Sequence, residues 1–284
     1  MTDEVGARAL YEALLDYEGA DAYPDVVTPW LDRALRAGHR EALATAARFR
    51  TWWEDPGGRE LTWELYALSR VSDHLLLEGS RNRQQYLAFF AALGMTPIED
   101  DGPAFDPFHH EIAEVEQADD PNAPIEVIGL HWPGLMLGEL LFGRAGARVR
   151  AGAAHAERGV ADAWPLYWTF RRRHRPTVDL SQGWGSNSQW RTALRLDYRT
   201  ADGDHLNVAE SVPIDGRPDL PADHPKNLGE DDRLLTPTER RELLRHRTFL
   251  RAPGAVDALA RSERWQRDFF PFEWSLDAPH GPRR

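Results

Sequence analysis

The sequence predicts a mainly α single domain over residues 1–284, with a helical N-terminal third, a mixed middle, a small β-hairpin and a helical C-terminal segment. Three observations lead there. Apolar residues recur at helical spacing through the first third. Capping and stop signals bracket those stretches. The clearest strand-like alternation, in "WRTALRLDYRTADGDHLNV" (Trp190–Val208), runs to both sides of a turn tetrapeptide.

The elements follow in order. Residues 5–19 carry apolar side chains at helical spacing and stop at Gly19. Residues 26–50 read as one or two helices, with Thr28 and Pro29 at a start. The "DPGG" at Asp55–Gly58 is a turn. In "RELTWELYALSRVSDHLLLEG", Trp63, Tyr66, Ala67, Val71, His74 and Leu75 lie near one helical stripe. "SRNRQQYLAFFAALGM" is a further helix closed by Gly94.

The middle mixes patterns. "FDPFHHEIAEVEQADDPNAP" has turn signals at both ends, "IEVIGLHWPG" reads as a short strand, and "LMLGELLFGRAG" fits a buried helix. "ARVRAG" reads as a strand or extended link, and "DAWPLYWTFRRRH" is apolar, then aromatic, then basic. From Asp215 to Arg233 the chain is Pro-rich, acidic and loop-like. "TPTERRELLRHRTFL" opens with a capping residue and a Pro at the first turn, and a last helix, "AVDALARSERWQRDFF", precedes an aromatic tail.

Composition narrows the function classes. A net charge of −12 opposes a polyanionic partner, so no nucleic-acid partner is expected despite basic clusters at Arg171–Arg175 and in the Thr236–Leu250 stretch. No apolar run approaches the ~18 residues of a membrane span. The acidic, amphipathic N-terminus lacks the basic and apolar regions of a secretory signal, so a soluble cytoplasmic protein is expected. With no Cys there is no disulfide, thiolate ligand or cysteine nucleophile. Histidine, present 11 times, is then the natural ligand for iron, copper or zinc.

Four constellations carry candidate chemistry. In "HHEIAEVE", His110 and Glu114 share a face on a helix, and His110, Ile112 and Glu114 share one on a strand. The spacing is not that of an HExxH zinc site, and His110 is the first candidate for a catalytic base. His74 follows Asp73 near the apolar stripe of its helix; it is the second candidate, against the plainer reading of a core histidine. In "LHWPGLMLGELLFGRAG" the glycines match no nucleotide-binding pattern and suit close packing against something flat. The fourth is "TFRRRHRPTVDLSQGWGSNSQW", Thr169–Trp190. Arginines beside a buried histidine disfavour the imidazolium and keep the ring neutral, which is the metal-binding form. Arginines also take carboxylates in bidentate fashion.

That fourth stretch resembles tryptophan 2,3-dioxygenase around its proximal heme histidine. "FRRRHRPTV" supplies Arg171, His174 and Val178, and the Gly- and Ser-rich loop "GWGSNS" follows. The relatives of that enzyme include histidine-ligated heme-dependent aromatic hydroxylases of actinomycete secondary metabolism. The resemblance implies heme b, with His174 on the iron and Arg171 and Trp184 around the cofactor. It implies a monooxygenase or peroxygenase that converts an aromatic amino acid, L-tyrosine, to 3,4-dihydroxyphenylalanine. Ser186, Asn187, Ser188 and Arg191 would hold the zwitterion of that substrate. Pro176, two residues past the candidate ligand, departs from a continuous helix.

Two other classes stay open. One is a single non-heme Fe, Cu or Zn held by "HHEIAEVE" with His131 or His155. The other is a non-enzymatic interaction protein that docks a partner through the acidic Pro-rich segment and the Thr236–Leu250 helix. Self-association is left open by the sequence.

Overall fold

The structure is a computed structural model that describes residues 5–49, 57–77, 83–98, 102–163, 195–208, 212–230, 232–251 and 272–277. Among the described residues it has six helices and ten strands, 37% helix and 23% strand, with both parallel and antiparallel pairing. The expectation of a mainly α, helical heme-binding domain is therefore corrected to an α/β fold. Helical periodicity is a local signal. Several strands here pair with partners far along the chain, which leaves no hairpin signature to read. The expected helix at Ala255–Phe270 lies outside the described residues.

The chain forms two compact units. Unit 1 comprises Met1–Ile98 and Leu135–Gly143, and unit 2 comprises Glu99–Gly134 and Arg144–Arg284.

Unit 1 is built on α1 (Ala7–Leu15), α2 (Thr28–Arg36), α3 (His39–Ala44), α4 (Gly58–Leu77) and α5 (Arg83–Ala92), with a π-helical turn at Tyr23–Val27. Helix α1 buries Ala7, Leu10, Tyr11 and Leu14 at the spacing of a single stripe and packs on α4. Helix α4 buries Leu61, Leu65, Leu68, Val71 and Leu75 but also Glu64, Arg70, Ser72 and Asp73. Those polar groups have defined partners. The Glu64 carboxylate accepts the Ala7 backbone N–H at 2.5 Å, capping the positive end of α1, and pairs with His39 Nε2 at 2.9 Å. Arg70 pairs with Asp73 at 3.0 Å, and the hydroxyls of Ser72 and Tyr86 share a hydrogen bond of 2.8 Å.

Helix α5 ends as its sequence implies. Gly94 takes φ +95°, and the Met95 N–H donates to the Phe90 carbonyl at 2.9 Å, which satisfies one of the orphan carbonyls. The stretch expected to be a buried helix, "LMLGELLFGRAG", is instead a hairpin. Strand β4 (Leu135–Leu137) pairs with β5 (Leu140–Gly143), and β1 (Thr96–Pro97) flanks β4. Gly138 at φ +57° opens the two-residue turn. Such turns match strand twist and need glycine there, and a short apolar run cannot separate the two readings by periodicity.

Unit 2 holds two ladders. In the first, β6 (Ala145–Ala151) lies between β2 (His110–Gln117), to which it is parallel, and β3 (Glu126–Trp132), to which it is antiparallel. Ile112, Val115, Val127, Ala147, Val149 and Ala151 face a core completed by Ala156 and Ala161. The opposite face carries paired charges: Glu116 with Arg148 and Arg150, and Glu114 with Arg148 and His131. This is the period-2 division of a half-buried sheet. The second ladder pairs β7 (Tyr198–Thr200) with β8 (Gly203–Leu206) around Ala201 and Asp202, the expected hairpin. Strand β10 (Phe272–Asp277), in the aromatic tail, joins β8 in antiparallel fashion and β9 (Val212–Pro213) in parallel. Helix α6 (Pro237–His246) starts on a capping box between Thr236 and Glu239 and buries Arg240, Leu243 and Leu244.

Candidate functional site

The richest polar constellation among the described residues lies in unit 2, around the turn that delivers β2. Asp106 and Pro107 set this turn. The Asp106 carboxylate accepts the Phe108 N–H at 2.9 Å, and its carbonyl accepts the N–H groups of His109 and His110 at 3.1 and 2.8 Å. In return, the Asp106 N–H donates to His110 Nδ1 at 3.1 Å. His110 is buried, with its ring near Phe105 at 5.8 Å between centroids.

Asp106 is also one arm of an ion-pair network. Arg199 on β7 spans its two oxygens, binds both oxygens of Asp204 at 2.6 and 2.9 Å, and lies 4.4 Å above the Phe108 ring. His109 Nδ1 approaches the same Asp106 carboxylate at 3.1 Å. Burial pushes the Asp106 carboxyl up, but the bonds from His109, Arg199 and the Phe108 amide overcome it and hold it well below the usual carboxylate range.

Beside this network stands a cluster of three arginines around one carboxylate. Asp197 is fully buried. It is met by Arg195 at 3.0 Å, Arg247 at 3.0 Å and Arg144 at 3.6 Å, and its other oxygen accepts the Asn207 N–H at 2.8 Å. The two non-glycine residues with left-handed backbone among those described, Asn207 at φ 56° and Arg247 at φ 61°, both serve this carboxylate. Burial raises Asp197, and the charges of Arg195, Arg247 and Arg144 then hold it far below its ordinary value. Arg144 lies between two apolar stretches at the head of β6, and its Nε donates to the Phe108 carbonyl at 3.0 Å. Burial, then the like charges of Arg247 and Arg195, work against its own charge.

His246, the last residue of α6, adjoins the cluster. Its ring stacks on Phe105 at 6.1 Å with an interplanar angle of 7°. Burial, then the charges of Arg245 and Arg144, push its imidazole down to about 3, so the ring is neutral at neutral pH.

The residues singled out in the sequence fare unevenly. His110 sits in this constellation. His74 belongs to unit 1, where its ring meets Tyr11 edge-on at 6.4 Å. Arg171, His174, Trp184, Ser186, Asn187, Ser188 and Arg191 lie outside the described residues. In "HHEIAEVE", Glu114 meets His131 at 2.9 Å and shares Arg148, and among the described residues no group of three or more His, Asp or Glu is placed to hold a metal ion.

Sequence reasoning missed Asp106, Arg144, Arg195, Asp197, Arg199, His246 and Arg247. One signal was available: Arg144 interrupts an otherwise apolar and small stretch, and Arg195 and Asp197 alternate with Leu196 and Tyr198 at strand spacing. A charge at an inward position of such a pattern has to find a partner. No protein-family model, no curated protein and no solved structure matches this chain.

Proposed function

We propose that the chain is a heme-dependent enzyme that hydroxylates an aromatic amino acid, L-tyrosine, at the ring 3-position. Its support in the sequence is the Thr169–Trp190 stretch, with His174 as the iron ligand, Arg171 and Trp184 around the cofactor, and Ser186, Asn187, Ser188 and Arg191 at the substrate. The mixed α/β fold withdraws the support that a helical scaffold would have lent, so the reading stands on these residues and on His110. A buried imidazole among arginines is favoured in its neutral, metal-binding form, the direction in which burial and the charges of Arg245 and Arg144 push His246. Bound heme would supply the iron that activates peroxide or dioxygen.

His110 is the observation that carries the catalytic assignment. Its Nδ1 accepts the Asp106 N–H, so a neutral ring bears its proton on Nε2. That tautomer is a hydrogen-bond donor. It suits His110 to donate from Nε2 to the oxygen of the substrate's neutral phenol and so orient the ring. The test is direct. Protein produced with heme shows a Soret band that His174→Ala abolishes or shifts, and L-tyrosine with hydrogen peroxide gives a product one oxygen heavier. His110→Ala retains the band and lowers turnover. Protein that takes up no heme refutes the reading.

The second reading is an interaction protein without a cofactor. The docking helix expected for it is used internally, since α6 buries Leu243 and Leu244 within unit 2. What favours this reading is the outer face of β2–β6–β3, where Glu114, Glu116, Arg148, Arg150 and His131 form an exposed set of ordered ion pairs. The visible spectrum of the purified protein separates the two.

A further inference from the structure

We infer that unit 1 binds a small primary ammonium with an apolar body, in a cavity lined by the π-helical turn at Tyr23–Val27, helix α2 and helix α5. None of its residues serves the heme reading, so the two can fail independently.

The cavity has a volume of about 330 Å³, at the small end of the range for ligand sites, and it is open to solvent. The π turn builds one wall. The Thr28 N–H reaches back to the carbonyl of Tyr23, five residues earlier, and this wide turn sets Tyr23, Val27 and Thr28 on the cavity. Helix α5 supplies Gln85 and Phe89, and α2 supplies Leu31. Phe89 is held in place by Trp30 at 6.0 Å and Phe90 at 4.9 Å between ring centroids. Tyr23, Val27 and Phe89 are buried, Leu31 and Gln85 are half-buried, and Asp21 and Thr28 are exposed. The cavity thus runs from an apolar base to a polar rim, the layout of a site for an amphipathic small molecule.

Asp21 at the rim selects the charge. Its backbone N–H donates to the Tyr17 hydroxyl at 3.1 Å, and its Oδ1 accepts the Tyr23 N–H at 3.1 Å, which fixes the carboxylate at the start of the π turn. Its Oδ2 has no partner among the described residues. One open oxygen suits a point cation, whereas the fork of a guanidinium needs two. The Thr28 hydroxyl, also on the rim, offers a second acceptor to an ammonium group. No basic residue lines the cavity. Between Arg8 and Arg33 the chain carries Glu12, Asp16, Glu18, Asp21, Asp25 and Asp32 and no Lys, Arg or His, so the local potential attracts cations. The apolar body of the ligand gains by covering Leu31 and Phe89.

The probe is benzylammonium chloride, titrated into the full chain by calorimetry. Benzyl alcohol has the same ring without the charge, and ammonium chloride has the charge without the ring; both are compared at equal ionic strength. Saturable binding of benzylammonium is expected, with each comparison compound about fivefold weaker or more. Asp21→Asn keeps an acceptor for the Tyr23 N–H and removes the charge. It should weaken benzylammonium about fivefold or more and leave benzyl alcohol unchanged. Ala88→Phe, at an exposed position of α5 that lines the cavity, fills the space and should abolish binding of both. Near-UV circular dichroism checks that each variant folds, and should one fail, the other decides. Absence of saturable binding, equal affinity for the alcohol and the ammonium, or unchanged benzylammonium binding in a folded variant overturns the site.

Discussion

Acidification should destabilise unit 2 through His246 well before Asp197 and Asp106 titrate. The folded ring titrates at about 3, against about 6.5 for an unperturbed histidine. Between those values the unfolded chain takes up a proton that the folded ring refuses. The stability from a neutral His246 is thus fully present above about pH 6.5 and declines as pH falls toward 3, at up to about 1.4 kcal/mol per pH unit. At pH 4.5, two units into that window, the loss reaches at most about 2.7 kcal/mol. The partial exposure of the ring makes this a ceiling. Asp197 and Asp106 behave differently. Both are held below the ordinary carboxylate value, so the stability they add is present above about pH 4 and is lost only below it. Urea unfolding of the wild type and of His246→Gln, followed by tryptophan fluorescence at pH 7, 5.5 and 4.5, isolates the term, because the other histidines cancel in the difference. The wild type should lose stability more steeply than the variant across this range. Parallel slopes would refute a neutral, desolvated His246.

Three substitutions probe the scaffold. Asp197→Asn leaves buried arginines without their carboxylate and should cost about 3–5 kcal/mol in urea unfolding, since removing one partner strands the others' charge; a loss below about 1 kcal/mol would show that the cluster is hydrated. Gly138→Ala combines a left-handed φ of +57° with a Cβ 2.6 Å from the Ala47 carbonyl oxygen. It should destabilise unit 1 by about 2 kcal/mol or more, whereas an unchanged Tm would mean the β4–β5 turn is not built this way. Thr236→Ala removes one half of the α6 capping box and should cost about 1 kcal/mol, with a neutral result showing that packing of Leu243 and Leu244 alone fixes that helix start.

Local signals were legible where local physics governs. The apolar stripe of α1, the Gly94 stop of α5, the turn at Ala201–Asp202 and the Thr236 cap can all be read without a partner element, because each depends on residues within a turn or two of one another. His110 could be named as a candidate from the His-His-Glu cluster alone, which is a weak signal, and its contact with the Asp106 N–H could not. The hairpin at Leu135–Gly143 was not, since a short apolar run satisfies helix and strand equally and only the pairing chooses.

The sequence by itself determined the acidic balance, the absence of thiol chemistry, the helical character of the first third and the charge pattern of Glu114, Glu116, Arg148 and Arg150. Tertiary structure decided that β2 runs parallel to β6, that the aromatic tail forms a strand beside β8, and that Arg144, Arg195 and Arg247 converge on Asp197. The physical reason is distance along the chain. Periodicity and capping act over a few residues, whereas a buried charge takes its partner from wherever the fold brings one, and Asp197 lies about fifty residues from Arg144 on one side and from Arg247 on the other.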